Sequence, residues 1–562
     1  MAKTDVLVVG AGPAGLIVAN LLVRYGVRVR VIDGAPGHTV QSRASLIHIR
    51  TLELWDKLGL AAPAVEHGQR LVATRLWANG KVLADLPLSG RAIQETPYPF
   101  ALGYEQWKTQ RMLADALAEA APTVTVEWGT RLVDLEQNSQ GVGARVVCAD
   151  GTEQKITATW GIGADGANSA VRRLLGVAFE GSTYGQVGFL ADVDMEFGIL
   201  LPNDRVNIFV APVGTVGFVK FHDSGHSQYR LYGTVTAGLQ TALEAQRDGG
   251  VNVSVRNLQR WFDEQFLVPA RIHRCEWYYS HRFHSKIATR FRDQRWFLVG
   301  DAAHVHPPSG GQGANLSMGD AYNLGWKLGT VVAGQAEQGL LESYETERRS
   351  VAMSILAGSN KGFMLEAATP AWRRARQWLL PMALRIANKI PVVRDAPSMM
   401  LSQQWVRYRA SPVVAGTSTT RARLRPGDRA PDAMLAEGAE AERLFDVLHG
   451  VDHHLLVLQG NTPTTRFAAL ALGAVELSTS YRVAIQVHTL GREHVELHQA
   501  YHVGEAVVVL VRPDGHIGYQ GPLADLPGLR DYLDCWYAAT SGSGSDSMAM
   551  EAMEAMEALE GS

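Results

Sequence analysis

Cysteine is nearly missing from this chain: Cys148, Cys275 and Cys535 are the only three among 562 residues, and they stand far apart. They form no C-x-x-C pair, no metal-ligand spacing and no even set. That excludes a disulfide framework, a dithiol redox centre and a cysteine-bound metal, and it predicts buried thiols in a reducing, cytoplasmic setting. An excess of charge of one sign is missing too. With 53 Lys+Arg against 56 Asp+Glu the formal net charge is -3, and no basic cluster marks a nucleic-acid partner. Long apolar runs are also absent. Residues 378–393 are interrupted by Pro381, Arg385, Lys389 and Pro391, and the apolar N-terminal run follows Asp5 and is broken by Gly10, Gly12, Pro13 and Gly15. Neither a bilayer span nor a signal peptide reads that way, so no membrane partner is expected.

What is present is glycine at particular places. Residues 4–33 read as a strand (DVLVV), Gly10-x-Gly12-x-x-Gly15, a helix (GLIVANLLVRYG) and a second strand ending at Asp33. This is the dinucleotide fingerprint in its required context, with glycines that admit a diphosphate to a helix N-terminus and an acid placed for a ribose hydroxyl. Because the second strand ends in an acid, the ADP part of FAD or NAD is favoured over a 2'-phosphorylated one. The spacing recurs at Gly161, Gly163 and Gly166, but only the first G-x-G-x-x-G opens a helix between two strands, so a nicotinamide cofactor has no fold of its own and would visit transiently.

Residues 297–328, FLVGDAAHVHPPSGGQGANLSMGDAYNLGWKL, read as a strand ending at Gly300-Asp301, a stiff loop with Pro307 and Pro308, and a helix from near Ala314. Beneath a flavin each part has a use. Asp301 would bond the ribityl chain, Gly310, Gly311 and Gly313 would let backbone approach a flat ring, and a helix opening at Gly313-Ala314-Asn315 would aim N–H groups at its anionic edge.

The pattern G-D-A-A-H-x-x-P-P-x-G-G-Q-G-x-N, followed by D-A-x-N-L-x-W-K-L, resembles the second FAD motif of the class A flavoprotein aromatic hydroxylases, the group of para-hydroxybenzoate hydroxylase and phenol hydroxylase. D-G-A-N-S-A-V-R-R, from Asp165 and Gly166 onward, is similar to the family's D-G-x-x-S-x-V-R motif at the FAD diphosphate. The resemblance implies that Arg43 contacts cofactor phosphates and that Gln106 lies beside the ribityl or ribose; Gln110 stands where the family commonly has glutamate and is not carried over. It also implies an α/β fold: a Rossmann-like FAD-binding domain (1–180 and 276–345), an inserted, mainly β substrate domain (181–275) and a helical connector (346–415). A thioredoxin-like C-terminal domain (416–540) would follow, structural or dimer-forming because Cys535 stands alone. Residues 541–562, with five acids and no base, form a flexible tail.

The reaction implied is hydroxylation of a phenolic or polycyclic aromatic substrate with FAD, NAD(P)H and O2, through a flavin C4a-hydroperoxide. Pro308 would shape the wall near C4a, while His48 and His222 are the candidate bases for a phenol. Against this, His48 reads more readily as a satisfied structural histidine, and Arg50 at least as readily as an ion pair on a solvated helix face. Tyr229, Tyr232, Tyr278, Tyr279 and His281 are weaker pocket candidates. Baeyer-Villiger or epoxidising chemistry on the same scaffold, or a non-catalytic flavoprotein carrier, are the alternatives.

Overall fold

A computed structural model describes residues 4–39, 44–78, 80–88, 95–211, 214–220, 228–234, 254–266, 268–307, 309–366, 398–417, 424–436 and 442–540. Arg43, His222, Pro308, the 378–393 stretch and the 541–562 tail lie outside the described residues.

The chain opens as its apolar run dictates. Strand Thr4–Val9 is buried on both faces, with Val29–Asp33 parallel on one side and Glu153–Gly163 parallel on the other. A strand covered twice has no reason to alternate, hence the unbroken Val-Leu-Val-Val. Gly12 and Pro13 then start helix Pro13–Arg24, proline supplying a φ already suited to a first helical residue.

That helix lies against Gln312–Val332 at close range. A Cβ on Gly325 would meet Leu21 Cδ1 at 2.6 Å, and one on Gly329 would meet Tyr25 Cδ2 at 2.2 Å. The glycines of the N-L-G-W-K-L-G segment are therefore the groove into which the first helix packs. Helix Gln312–Val332 begins after Gly311, slightly ahead of the expected start near Ala314, because Gly310 (φ 71°) and Gly311 (φ 69°) turn the chain through the left-handed region just before it.

Among the described residues the second sheet has eight strands, and its strands Phe179–Phe197, Arg205–Ala211, Gly214–Lys220 and Gln228–Thr234 fall where alternation placed them. It extends beyond the expected 181–275 segment in both directions. Ala270–Ala288 runs across that boundary, and the hairpin Ala73–Ala78 with Lys81–Pro87 joins through a parallel pairing of Ala73–Ala78 with Arg205–Ala211. Strand period separates its two faces. Phe189, Phe218, Tyr229 and Leu231 pack with Trp261 and Phe262 of helix Val255–Gln265 in an aromatic core. Leu190, Arg230 and Tyr232 point the other way, toward the turn at Gly12–Ala14 and the start of helix Gln312–Val332.

The C-terminal part is a five-stranded sheet. His453–Leu458 runs parallel to Ile485–Leu490 through helix Thr464–Ser478 and antiparallel to Val507–Val511, which pairs in turn with Ile517–Pro522. With helix Leu526–Trp536 closing the sheet, the order is that of a thioredoxin-like fold. No helix among the described residues is long and apolar enough to cross a membrane.

Candidate active site

The glycines of the first turn do different work. Gly10 (φ 109°) has the backbone of residue 164 against it: a Cβ there would meet the Ala164 carbonyl oxygen at 2.3 Å. A Cβ on Gly15 would meet the Gly10 carbonyl oxygen at 1.9 Å, whereas one on Gly12 would meet nothing within 4 Å. Gly10 and Gly15 thus let strand, turn and helix close on one another, and Gly12 faces open space. Asp33 tightens the same turn, accepting the Ala11 N–H at 2.7 Å and the Ala35 N–H at 2.8 Å. Gln110 completes it, donating to the Ala11 carbonyl at 2.7 Å while accepting the Thr39 N–H at 2.8 Å. An ionised glutamate has no proton for the first of these bonds.

The space beside Gly12 is a cavity of about 530 Å³. Gln106, Asp165, Gly166, Asp301, Gly313 and Ala314 line it as well, although they come from four separate stretches of chain. Gly10, Gly15, Asp33 and Asn315 do not line it; they hold the pieces that do. Asn315 Nδ2 donates to the carbonyls of Leu46 (2.8 Å) and Gly311 (2.9 Å), and its Oδ1 accepts from the His48 N–H and the Thr51 hydroxyl, each at 2.8 Å. One amide so locks residues 46–51 to the start of helix Gln312–Val332.

Asp165 Oδ2 accepts the N–H groups of Ala170 (2.6 Å) and Val171 (3.1 Å), while Oδ1 is buried with no partner. Burial pushes its carboxyl up from the usual range, the hydrogen bonds opposing that. Arg172, from the same D-G motif, donates to the carbonyls of Ala302 (2.7 Å) and Ala167 (2.8 Å) and lies over the Phe179 ring, tying this turn to the Gly300-Asp301 turn. Behind Asp301, Asp320 accepts from His304 and Arg348, each at 2.6 Å, and so pins the loop to its helix. His304 and Asp320, both buried, are letters of the quoted motif to which the sequence assigned no role, and neither lines the cavity.

A second cavity of about 270 Å³ adjoins the first, with Leu46, Leu190 and Tyr232 in both walls. Its lining is mostly aliphatic: Leu76, Leu88, Val206 and Ile208 come from the second sheet and its hairpin, against Pro307 and Gly310 opposite. His48 sits at its edge with Nε2 2.9 Å from the Gly310 carbonyl oxygen. Its pKa is brought down to about 4 by burial, so the ring is neutral near pH 7. His281 and Tyr232 also line this cavity, whereas Tyr229 and Tyr278 belong to the aromatic core on the sheet's far face. Tyr279 stacks between Trp277 and His281. Arg50 is not on a solvated face: it pairs with Glu53 at 2.9 Å and donates to the Asp514 carbonyl, buried under the C-terminal domain.

The site fits FAD on its own features. An unpartnered carboxylate oxygen, glycines at 12 and 166 whose Cβ positions face open space, and an uncapped helix start at Gly311–Ala314 converge on one elongated cavity. Comparison with known proteins agrees. Residues 3–359 match the FAD binding domain family, and residues 423–540 match the aromatic-ring hydroxylase C-terminal family. The chain belongs to the FAD-dependent aromatic-ring hydroxylases. It is 35% identical to pentachlorophenol 4-monooxygenase from Sphingobium chlorophenolicum, covering 81% of this chain and 80% of that protein. It is 32% identical to 6-methylpretetramide 4-monooxygenase from Streptomyces rimosus, covering 92% and 90%. Among solved structures, OxyS anhydrotetracycline hydroxylase from Streptomyces rimosus superposes with a TM-score of 0.72 at 27% identity, covering 95% of this chain and 99% of that one. The protein is a flavin-dependent monooxygenase that uses FAD, with NAD(P)H as co-substrate.

Proposed function

We propose that the smaller cavity takes a phenolic ring, alone or as one end of a fused polycyclic system, and that the enzyme adds one oxygen atom to it from O2. The observation that carries this reading is the shared wall: an apolar chamber opens beside the nucleotide cavity across Leu46, Leu190 and Tyr232. Bound FAD supplies the redox chemistry, taking a hydride from NAD(P)H and activating O2. The chain's own groups bind, orient and exclude water.

In this reading Gly12 and Gly166 admit the diphosphate part while Asp165 holds the turn beside it, Gln106 and Asp301 take hydroxyls of the ribityl chain, and the Gly313–Ala314 N–H groups face the polar edge of the ring. Gly310 presents flat backbone to the substrate side, and Asn315, Gly10 and Gly15 hold that frame from behind. Asp33, which lies outside the cavity wall, is assigned to the adenosine ribose on its motif position alone. Arg43 at the phosphates, Pro308 at the ring wall and His222 as a proton acceptor are proposed on motif and sequence position alone. With Nε2 against a carbonyl, His48 carries its proton there and offers Nδ1 as the acceptor for a phenolic proton. The nicotinamide cofactor visits transiently, since a single dinucleotide turn serves the flavin. The unpaired Cys148, Cys275 and Cys535 suit the cytoplasm, and a homodimer is the proposed assembly.

A panel of phenols and polycyclic phenolic substrates, screened for stimulated NAD(P)H oxidation, tests the assignment. A product heavier by one oxygen, carried as a new aromatic hydroxyl, is expected. Oxygen recovered as a lactone or epoxide would move the enzyme to the alternative chemistry, and no stimulation by any aromatic compound would remove the substrate assignment.

A further inference from the structure

His306 stands in the wall of the larger cavity, followed directly by Pro307 in the wall of the smaller one. Its Nδ1 lies 2.8 Å from the Pro307 carbonyl oxygen. A carbonyl can only accept, so Nδ1 carries the ring proton and Nε2 is left as a bare lone pair. That Nε2 is buried and has no hydrogen-bond partner. Burial is also what keeps the ring neutral, bringing its pKa down to about 4, with the Pro307 bond opposing and His304 assisting.

Nε2 lies beside the helix start that lines the cavity. A Cβ on Gly313 would stand 3.8 Å from Nε2, with only the same ring's Cε1 beside it, at 4.0 Å. A buried acceptor with nothing to accept is costly unless something brings it a donor. The neighbouring carboxylates, Asp165 and Asp301, are acceptors when ionised and cannot be that donor. A flavin carries donors in its ring imide N–H and its ribityl hydroxyls.

We propose that His306 Nε2 accepts a hydrogen bond from an N–H or O–H of the bound flavin, which makes His306 a cofactor-binding residue outside the glycine and aspartate motifs. This rests on FAD filling the larger cavity, and FAD binding by the unaltered protein tests that separately.

The test is titration of full-length apoprotein with FAD, followed by quenching of flavin fluorescence, alongside thermal melts of each apoprotein. His306→Leu removes the acceptor and is expected to weaken FAD binding about 5- to 10-fold. His306→Gln sets an amide oxygen near the Nε2 position and is expected to stay within about threefold of the parent. His306→Asn keeps the Pro307 contact but falls short of that position, so it should match the leucine variant and replaces it if leucine does not fold. Unweakened binding by the leucine or asparagine variant overturns the proposal. So does equal weakening across all three variants, which would assign the ring to packing alone. A parent protein that does not bind FAD removes the cavity assignment itself, a result distinct from any difference among the variants.

Discussion

The larger cavity and the junction beneath the C-terminal domain are both rich in buried polar groups, yet they treat them in opposite ways. At the junction the charges are answered within the chain. Glu347 accepts from Lys327 (2.7 Å), Asn323 (2.6 Å), Ser411 (2.7 Å) and both terminal nitrogens of Arg512 (2.7 and 2.9 Å). Glu53 accepts from Arg50 and Arg429, and the turn at Gly515 sits against the Arg50 guanidinium. Tyr322 and His516 do leave polar atoms unpartnered there, but beside a void of about 20 Å³, room for one water. At the cavity, Asp165 Oδ1 and His306 Nε2 are left over beside about 530 Å³. Paired charge with no room marks a fixed joint; unpaired polarity with room marks a ligand site.

That contrast breaks most visibly at the junction. Arg512→Leu leaves Glu347 and Asp514 buried without their main cation and is expected to lower unfolding free energy by about 3–5 kcal/mol, read from urea denaturation. A loss below about 1 kcal/mol would mean the joint is not held by these charges. The next effect belongs to the turn. Gly10→Ala drives a Cβ into the Ala164 carbonyl at a φ of 109° and should destabilise the apoprotein by more than about 1 kcal/mol, besides weakening FAD.

Acid should act on the cavities. Burial holds His48 and His306 at about 4, below the usual 6.5, so the unfolded chain takes up protons that the folded chain refuses. Stability is therefore fully present above about pH 6.5 and falls as pH drops toward 4, by up to about 1.4 kcal/mol per pH unit for each ring. Urea midpoints at pH 7 and pH 5 check this; equal midpoints would refute it. The smallest effect sharpens the comparison most. Gly12→Ala meets nothing within 4 Å, so apoprotein stability should move by less than about 0.5 kcal/mol while FAD affinity falls. Two alanines in one turn, one costing stability and the other affinity, would separate packing from binding in a single experiment.

The parts legible beforehand were those whose chemistry is local. The Gly10–Gly15 turn, the Asp165-Gly166 turn, the Gly300-Asp301 strand end and the glycine shelf each declare themselves within a few residues, and Gly12, Asp165, Gly166 and Asp301 meet in one cavity. The alternating strands of the second sheet were legible for the same reason. Arg50 was not: an R-T-L-E segment reads as a surface helix until the R-P-D-G turn, more than four hundred residues later, closes over it. Gln110 passed as a departure from the family pattern, although its amide proton secures the glycine turn. The hairpin Ala73–Ala78 with Lys81–Pro87 gave no sign that its partner strand lay at Arg205–Ala211, because strand pairing across such a distance leaves no local periodicity.

From its residues alone this chain specified a flavin-binding turn, its companion motifs and a hydroxylase-like order of domains, since glycine, proline and capping preferences act over one turn of backbone. Folding in three dimensions decided which polar atoms are used up and which are left facing a ligand. Burial and partnership belong to the whole set of neighbours around an atom, so His306, two residues past the paired His304, ends with a buried nitrogen that nothing in the chain answers.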